Sequence, residues 1–285
     1  MAQASFASIR ASLHHLAFGS PDPAALATFY ARALALRIEP EGEAFIGRAR
    51  GRRLIFQTGP IKSLGFAAYA VESVADLAGL RERAAAAGVA IEPSPSPLFG
   101  EEAVCLRDPD GNRFVFGLSS GPEETAIYDG SSAREARLQH VVFASRDAGR
   151  LADFYEAVLG FALSDVVVDE VGGVRTSFLR CSEEHHSLAV FQASENRIDH
   201  HCYEAGDWGL IRDWGDHMAA EHIPLVWGPG RHGPGDNLFM FVHDADGNWV
   251  EISAELEVVT ADRPVGTWPH EQRTLNSWGQ GLLRS

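Results

Sequence analysis

The chain has 285 residues, 45% of them hydrophobic and 22% charged, a globular composition that excludes collagen-like, mucin-like and broadly disordered chains. Its formal net charge of -15 argues against nucleic acid and anionic membranes as partners, since both are polyanions. At roughly 100–200 residues per domain the length predicts two domains, and no stretch reaches the roughly 20 apolar residues of a membrane span.

The amino terminus, MAQASFASIRASLHHLAF, lacks the basic segment and continuous apolar run of a secretion signal. Cys105, Cys181 and Cys202 are scattered, without CxxC spacing, and fit a reducing compartment. A cytoplasmic protein is expected. The first element is a strand over about 12–18. It leads into an amphipathic helix over about 23–34, with Leu26, Phe29, Tyr30 and Leu34 at helical spacing and Asp22–Pro23 as N-cap and first turn. Strand-type segments follow at EAFIGRA, RLIFQT and SLGFAAYAV. A second helix, SVADLAGLRERAAAAGV, stops at Gly88, and two strands then flank the turn DPDGN (108–112).

The order then repeats. SPDPAALATFYARALAL (Ser20–Leu36) aligns without gaps on SRDAGRLADFYEAVLGF (Ser145–Phe161), with seven identities in seventeen positions. LHHLAF around His15 matches LQHVVF around His140, and DPDGNRFVF (Asp108–Phe116) matches DADGNWVEI (Asp244–Ile252). The fold class expected is α+β, four βαβββ units forming two barrel-like domains, 12–118 and 137–254. The Gly- and Ser-rich segment 119–136 reads as a linker, and a tail over 255–285, carrying Trp268, His270 and Trp278, is expected to pack on the body.

Chemistry-bearing residues concentrate in the second half: of twelve histidines, only His14 and His15 precede residue 139. His140 sits midway along an apolar strand. EEHHSLAVF and RIDHHCYEA each hold a histidine pair, and because strand side chains alternate, only one of each pair can face a shared pocket. His232 lies on the loop GPGRHGPGDN. Glu251 lies between Val250 and Ile252, where the first half has Val115. A buried carboxylate must be paired or coordinated; an ion pair to Arg or Lys is the plain alternative. His140, His201 and Glu251 on three strands would form a 2-His-1-carboxylate set with open positions, the kind that suits non-haem Fe(II). The repeat aligns His201 with Phe66 and Glu251 with Val115, so the fold itself does not need those two polar groups.

These motifs together (His140, HHSLA, the later HH pair, GPGRHG and the last-strand Glu251) resemble the type I extradiol catechol dioxygenases of the vicinal-oxygen-chelate superfamily, over about 12–254. The resemblance implies a metal site of His140, His201 and Glu251, holding Fe(II) or Mn(II). It also implies His186 as acid/base, His232 as hydrogen-bond partner of a substrate hydroxyl, and Phe178 as an aromatic wall. His185 and His200 would then be structural. The family has a tyrosine ten residues before the carboxylate ligand; here that position is Phe241, which cannot donate, and His243 on the same strand face is a candidate substitute. Val142 and Phe178 make the substrate side apolar, pointing to a hydrophobic 3-substituted catechol such as 2,3-dihydroxybiphenyl or an alkylcatechol, cleaved with O2. A homo-oligomer, with no nucleic-acid or membrane partner, is what the resemblance implies. Two alternatives stand beside this reading: another metal-dependent isomerase or lyase of the superfamily, and a catalytically altered metal-binding homologue.

Overall fold

The computed structural model describes residues 7–119, 134–260 and 263–282; most of the expected linker, 120–133, lies outside the described residues. The first half runs β1 (Ala11–Ser20), α1 (Pro23–Ala33), β2 (Arg37–Glu41), β3 (Ala44–Ala49), β4 (Arg52–Thr58), β5 (Ser63–Val71), α2 (Val74–Ala86), β6 (Val104–Arg107) and β7 (Arg113–Leu118). The second runs β8 (Arg137–Ser145), α3 (Ala148–Phe154), β9 (Ala162–Val168), β10 (Val174–Arg180), β11 (Leu188–Gln192), β12 (Arg197–Glu204), α4 (Trp208–Ala220), β13 (Trp227–Arg231), β14 (Leu238–His243) and β15 (Trp249–Ala254). In the tail, β16 (Gly266–Pro269) and a single turn, α5 (Gln272–Leu275), follow. Among the described residues no helix is long and apolar enough to cross a membrane.

The helix starts are set where the sequence places them. The Asp22 carboxylate accepts from the Ala25 N–H with Pro23 in the first turn, and Ser73, Asp147 and Asp207 cap α2, α3 and α4 in the same way. One unit departs from the βαβββ pattern. After α2 the expected strand shrinks to a single bridge, Glu92 to Cys105, because Pro93, Pro95 and Pro97 cannot donate to a ladder.

Two sheets result, one of seven strands (β2-β3-β4-β1-β5-β7-β6) and one of nine (β13-β14-β15-β12-β8-β11-β10-β9-β16). The outer faces and the helices of both halves share one apolar core that includes Phe56, Tyr69, Phe114, Phe143 and Trp214. The inner faces differ. That of the first sheet is filled by Ala17, Ile46, Ile55, Phe66, Phe99 and Val115, whereas the second retains only Val142, Val167, Phe178 and Ala189 as an apolar cluster.

The halves are joined by a reciprocal pair of bonds. Tyr30 of α1 donates to Asp244 Oδ2 at 2.9 Å, and Tyr155, its repeat counterpart following α3, donates to Asp108 Oδ2 at 2.7 Å. Each aspartate also accepts the N–H groups that fold its own turn, from Asp110 and Asn112 or from Asp246 and Asn248. The DxDGN turns therefore do more than reverse the chain. Each is the anchor for the opposite half's first helix.

Candidate metal centre and cavity

Cross-strand register decides which side chains meet. In antiparallel β8/β12, Cys202 pairs with His140 and His200 with Val142; in parallel β12/β15, Cys202 pairs with Glu251 and His200 with Trp249. Register partners share a face, so His140, His200, Cys202 and Glu251 all point inward, while His201, paired with Val141 and Val250, points to the opposite face.

The structure thus corrects the expected ligand set. His200, not His201, stands beside His140 and Glu251. His201 is fully buried on the outer face, its Nε2 2.9 Å from Tyr30 Oη and its ring 4.9 Å from Phe18; burial pushes it down to about 3. The first sheet shows the same register: Ala17 pairs with Phe66, His15 with Ala68, and Ala68 with Val115. The counterpart of Phe66 is therefore His200, that of Ala67 is His201, and that of Val115 is Glu251. Aligning the repeats on the shared tyrosine, FAAY (66–69) on HHCY (200–203), contains this answer; the alignment drawn from the sequence was one residue out.

The three inward groups converge. His140 Nε2 and His200 Nε2 each lie 3.2 Å from Glu251 Oε2, and all three side chains are buried. Gln139 donates its amide to the His186 carbonyl at 2.6 Å, which turns its Oε1 to His140 Nδ1, also at 2.6 Å. Asp199 Oδ1 accepts from His200 Nδ1 at 2.7 Å. Each imidazole therefore carries its proton on Nδ1 and aims a bare Nε2 lone pair at a carboxylate oxygen.

Two imidazole nitrogens aimed at one buried carboxylate oxygen require a proton or a cation between each of them and that oxygen. The directions of the charged equilibria agree. Burial would raise Glu251, yet its histidine contacts hold it well below the usual carboxylate range. Burial would lower His200, yet its bonds to Asp199 and Glu251 raise it. Burial lowers His140 despite Glu251. A separation of 3.2 Å is close to that between neighbouring ligands of an ion with bonds of about 2.0–2.2 Å, so the residues fit a divalent metal. Among the described residues, the group whose ligand atoms all lie within 4.8 Å of one another is His140, Cys202 and Glu251, without His200. However, the Cys202 thiol is pushed well up by burial and donates to Ser253 Oγ at 3.1 Å, and a thiol ligates as thiolate.

Two more histidines border the same space. His186 Nδ1 is 3.0 Å from His185 Nδ1, whose Nε2 is 3.1 Å from Asp165 Oδ2. The Asp165 contact lies outside hydrogen-bond geometry, so it is a charge contact that leaves the shared proton of the His185–His186 pair unassigned. Burial holds His186 neutral, well below its ordinary value. His232 donates from Nδ1 to the Leu275 carbonyl at 2.6 Å, lies stacked on Phe239, and has Nε2 3.7 Å from Glu251 Oε1.

Phe241, opposite Glu251 across β14/β15, meets His200 edge-on at 5.3 Å and stacks on Trp227. His243 does not substitute for a donor there. It shares the Phe241 face but lies two residues farther toward the strand end, is exposed, and packs against Trp249 at 4.6 Å, outside the cavity. Val142 and Phe178 line the cavity as expected positions on β8 and β10.

The cavity has about 870 Å³ of empty space, its open mouth included. Val167 of β9 and Trp227 of β13 both line it although these strands lie toward opposite edges of the sheet, so the sheet curls around it. Sequence reasoning missed Asp199 and Asn237; it expected the tail to pack on the body without naming its lining residues, and His270, Glu271, Thr274, Leu275 and Leu282 complete the wall. The tail is held by β16 pairing with β9 and by Trp268 donating to Asp165 at 2.7 Å. The available signal was its tryptophan and histidine content.

A family model described as Glyoxalase/Bleomycin resistance protein/Dioxygenase superfamily matches residues 12–116 and again 137–252. Metapyrocatechase 2 of Cupriavidus necator is 28% identical over 94% of this chain and 88% of its own length. Biphenyl-2,3-diol 1,2-dioxygenase of Paraburkholderia xenovorans is 29% identical over 96% of each. In fold, the crystal structure of homoprotocatechuate 2,3-dioxygenase from Arthrobacter globiformis is similar, with a TM-score of 0.83 at 24% identity, covering 98% of this chain and 93% of that one.

Proposed function

This chain belongs to the glyoxalase/bleomycin resistance protein/dioxygenase superfamily, and from that footing we propose that it is a metal-dependent extradiol dioxygenase that opens a catechol ring with O2. The observation that carries the reading is that His140 Nε2 and His200 Nε2 each lie 3.2 Å from the same buried oxygen, Glu251 Oε2, with the imidazoles of His186 and His232 bordering the same cavity. His140, His200 and Glu251 would hold the ion, Fe(II) being the one proposed. When bound, it supplies Lewis acidity toward the diol oxygens and an electron path between catechol and O2.

The chain's own groups do the rest. His232 Nε2, its tautomer fixed by the Leu275 carbonyl, accepts a hydrogen bond from one substrate hydroxyl and orients the ring. The His186 imidazole, kept neutral by burial, takes a proton and returns it during ring opening. The apolar cavity excludes water from this exchange. In the net reaction the ring C–C bond beside the diol breaks and both atoms of O2 enter a ring-opened hydroxy-dienoate.

Val142, Ala144, Val167, Phe178 and Phe191 form an apolar wall beyond His140 and His186. Arg197, a cation on this lining, has Glu195 and Asp199 as ion-pair partners, so a charged substituent gains little there. The substrate proposed is therefore a hydrophobic 3-substituted catechol, a reading that the named activity of the Paraburkholderia relative supports. The first half, whose inner face is filled with apolar side chains, is proposed to act as scaffold.

The test is to load the purified protein anaerobically with Fe(II), then add air-saturated 2,3-dihydroxybiphenyl or 3-methylcatechol. One O2 consumed per catechol with a yellow product is the expected result. No uptake with either catechol by iron-loaded protein overturns the assignment.

A further inference from the structure

The two tyrosine–aspartate clamps are matched except at one point. Tyr30 Oη bonds both Asp244 and His201, whereas Tyr155 Oη meets Asp108, and the counterpart of His201 in the first half is Ala67. The fold therefore forms the clamp without an imidazole. Yet His201 is completely buried, and its Nδ1 has no partner, which costs stability.

Direction of donation follows from the groups present. The Asp244 carboxylate already accepts from Asp246, Asn248 N–H and the Asn248 amide, so it takes the Tyr30 proton. His201 Nε2–H then donates to Tyr30 Oη. His201 adjoins His200 on β12, and the ladder between β8 and β12 shifts register between Ile198 and His200 and again between Cys202 and Tyr203. On the β8 side the short segment bearing His200 is thus bracketed by two irregularities, while on the β15 side its ladder is unbroken from His200 to Glu204.

We propose that His201 is a positioning residue: by bonding Tyr30 of the first half from behind β12, it fixes the backbone that aims His200 at the metal. The first half then acts on the metal centre through the Tyr30–His201 hydrogen bond, beside the packing of Phe18 on the His201 ring. This rests on the assignment of His140, His200 and Glu251 as the metal site, and the test separates the two.

The experiment measures the Fe(II) dissociation constant anaerobically, by competition with a coloured chelator, alongside thermal unfolding of the metal-free protein. Tyr155→Phe removes the clamp bond to Asp108, and Tyr30→Phe removes both the clamp bond to Asp244 and the bond from His201; both should lower the unfolding temperature, Tyr30→Phe the more. Only Tyr30→Phe should weaken Fe(II), by about tenfold, the lower end of effects from groups that orient ligands. His201→Ala keeps the Tyr30–Asp244 bond and should weaken Fe(II) to the same extent, with no further loss in the double variant. His201→Gln, whose amide N–H reaches the tyrosine oxygen, should restore affinity.

Wild-type affinity in His201→Ala overturns the inference, as does equal weakening by Tyr155→Phe or failure of glutamine to rescue. Absence of Fe(II) binding by the wild type, or undiminished binding by Glu251→Ala, instead overturns the metal-site assignment on which it rests.

Discussion

Replacing Asp199 by alanine gives a direct reading of which imidazole holds the metal. Asp199 Oδ1 lies 2.7 Å from His200 Nδ1 with both side chains buried, a charge-assisted bond that fixes the tautomer and ring angle of His200. Bonds of this kind are worth about 1.5–3 kcal/mol, and about 1.4 kcal/mol is tenfold in affinity. Asp199→Ala should therefore raise the Fe(II) dissociation constant about 10- to 100-fold. Asp199→Asn keeps an acceptor without the charge and should fall between the two.

The metal-free protein should lose some stability as well, because His200 Nδ1 is left buried without its acceptor, whereas Arg197 retains Glu195 at 3.2 Å as partner. The pH dependence has a definite sign. Asp199 and Glu251 raise His200 above its ordinary value, and protons compete with metal for Nε2, so wild-type affinity declines as pH falls through that raised value. Without Asp199 the decline should begin at lower pH. Chelator competition between pH 5.5 and 8 measures both effects. Unchanged affinity in Asp199→Ala, together with abolished binding in His200→Ala replaced by abolished binding in His201→Ala, would refute the register argument.

Phe241→Tyr places a hydroxyl beside His200 in the cavity and should raise kcat/KM toward catechols by up to about tenfold, through a donor for developing oxygen charge; indistinguishable kinetics with several catechols would show that this ring does not border the reacting oxygens. Asp165, fully buried with His185, Arg263 and Trp268 around it, is held down to about 2 although burial alone would raise it. Because its folded value lies below the unfolded one, its contribution, on the order of 2 kcal/mol, is present above about pH 4 and lost as pH falls toward 2. Acid unfolding of Asp165→Asn followed by circular dichroism should lack that part of the slope, and a wild-type slope would refute the pairing. His14 is pushed down to about 3, chiefly by burial, so the unfolded state binds a proton the folded state refuses; stability should fall as pH drops from 6.5 toward 3, less steeply in His14→Asn.

Much of this protein was written in local pattern. The repeat, the helix caps at Asp22 and Ser73, the DxDGN turns, and an isolated Glu251 among apolar neighbours are all short-range signals, so the two-sheet α+β architecture, His140 and Glu251 could be read from them, whereas His186 and His232 took their roles from the family resemblance. The exceptions were matters of register and distance. A pair of adjacent histidines carries no mark of which one faces in, because strand periodicity is two and a one-residue slip exchanges the faces; the pairing of His200 with Val142 and Trp249 settles it. His243 satisfied the same alternation as Phe241 yet ends outside the cavity, since sharing a face says nothing about distance along the strand. Nor could local pattern reveal that Tyr30 reaches Asp244, 214 positions away, or that the tail folds back to wall the cavity. The first contact exists only once the two duplicated halves pack through their shared core, and the second only once β16 pairs with β9; in both, the partners are distant in the chain and are chosen by tertiary packing.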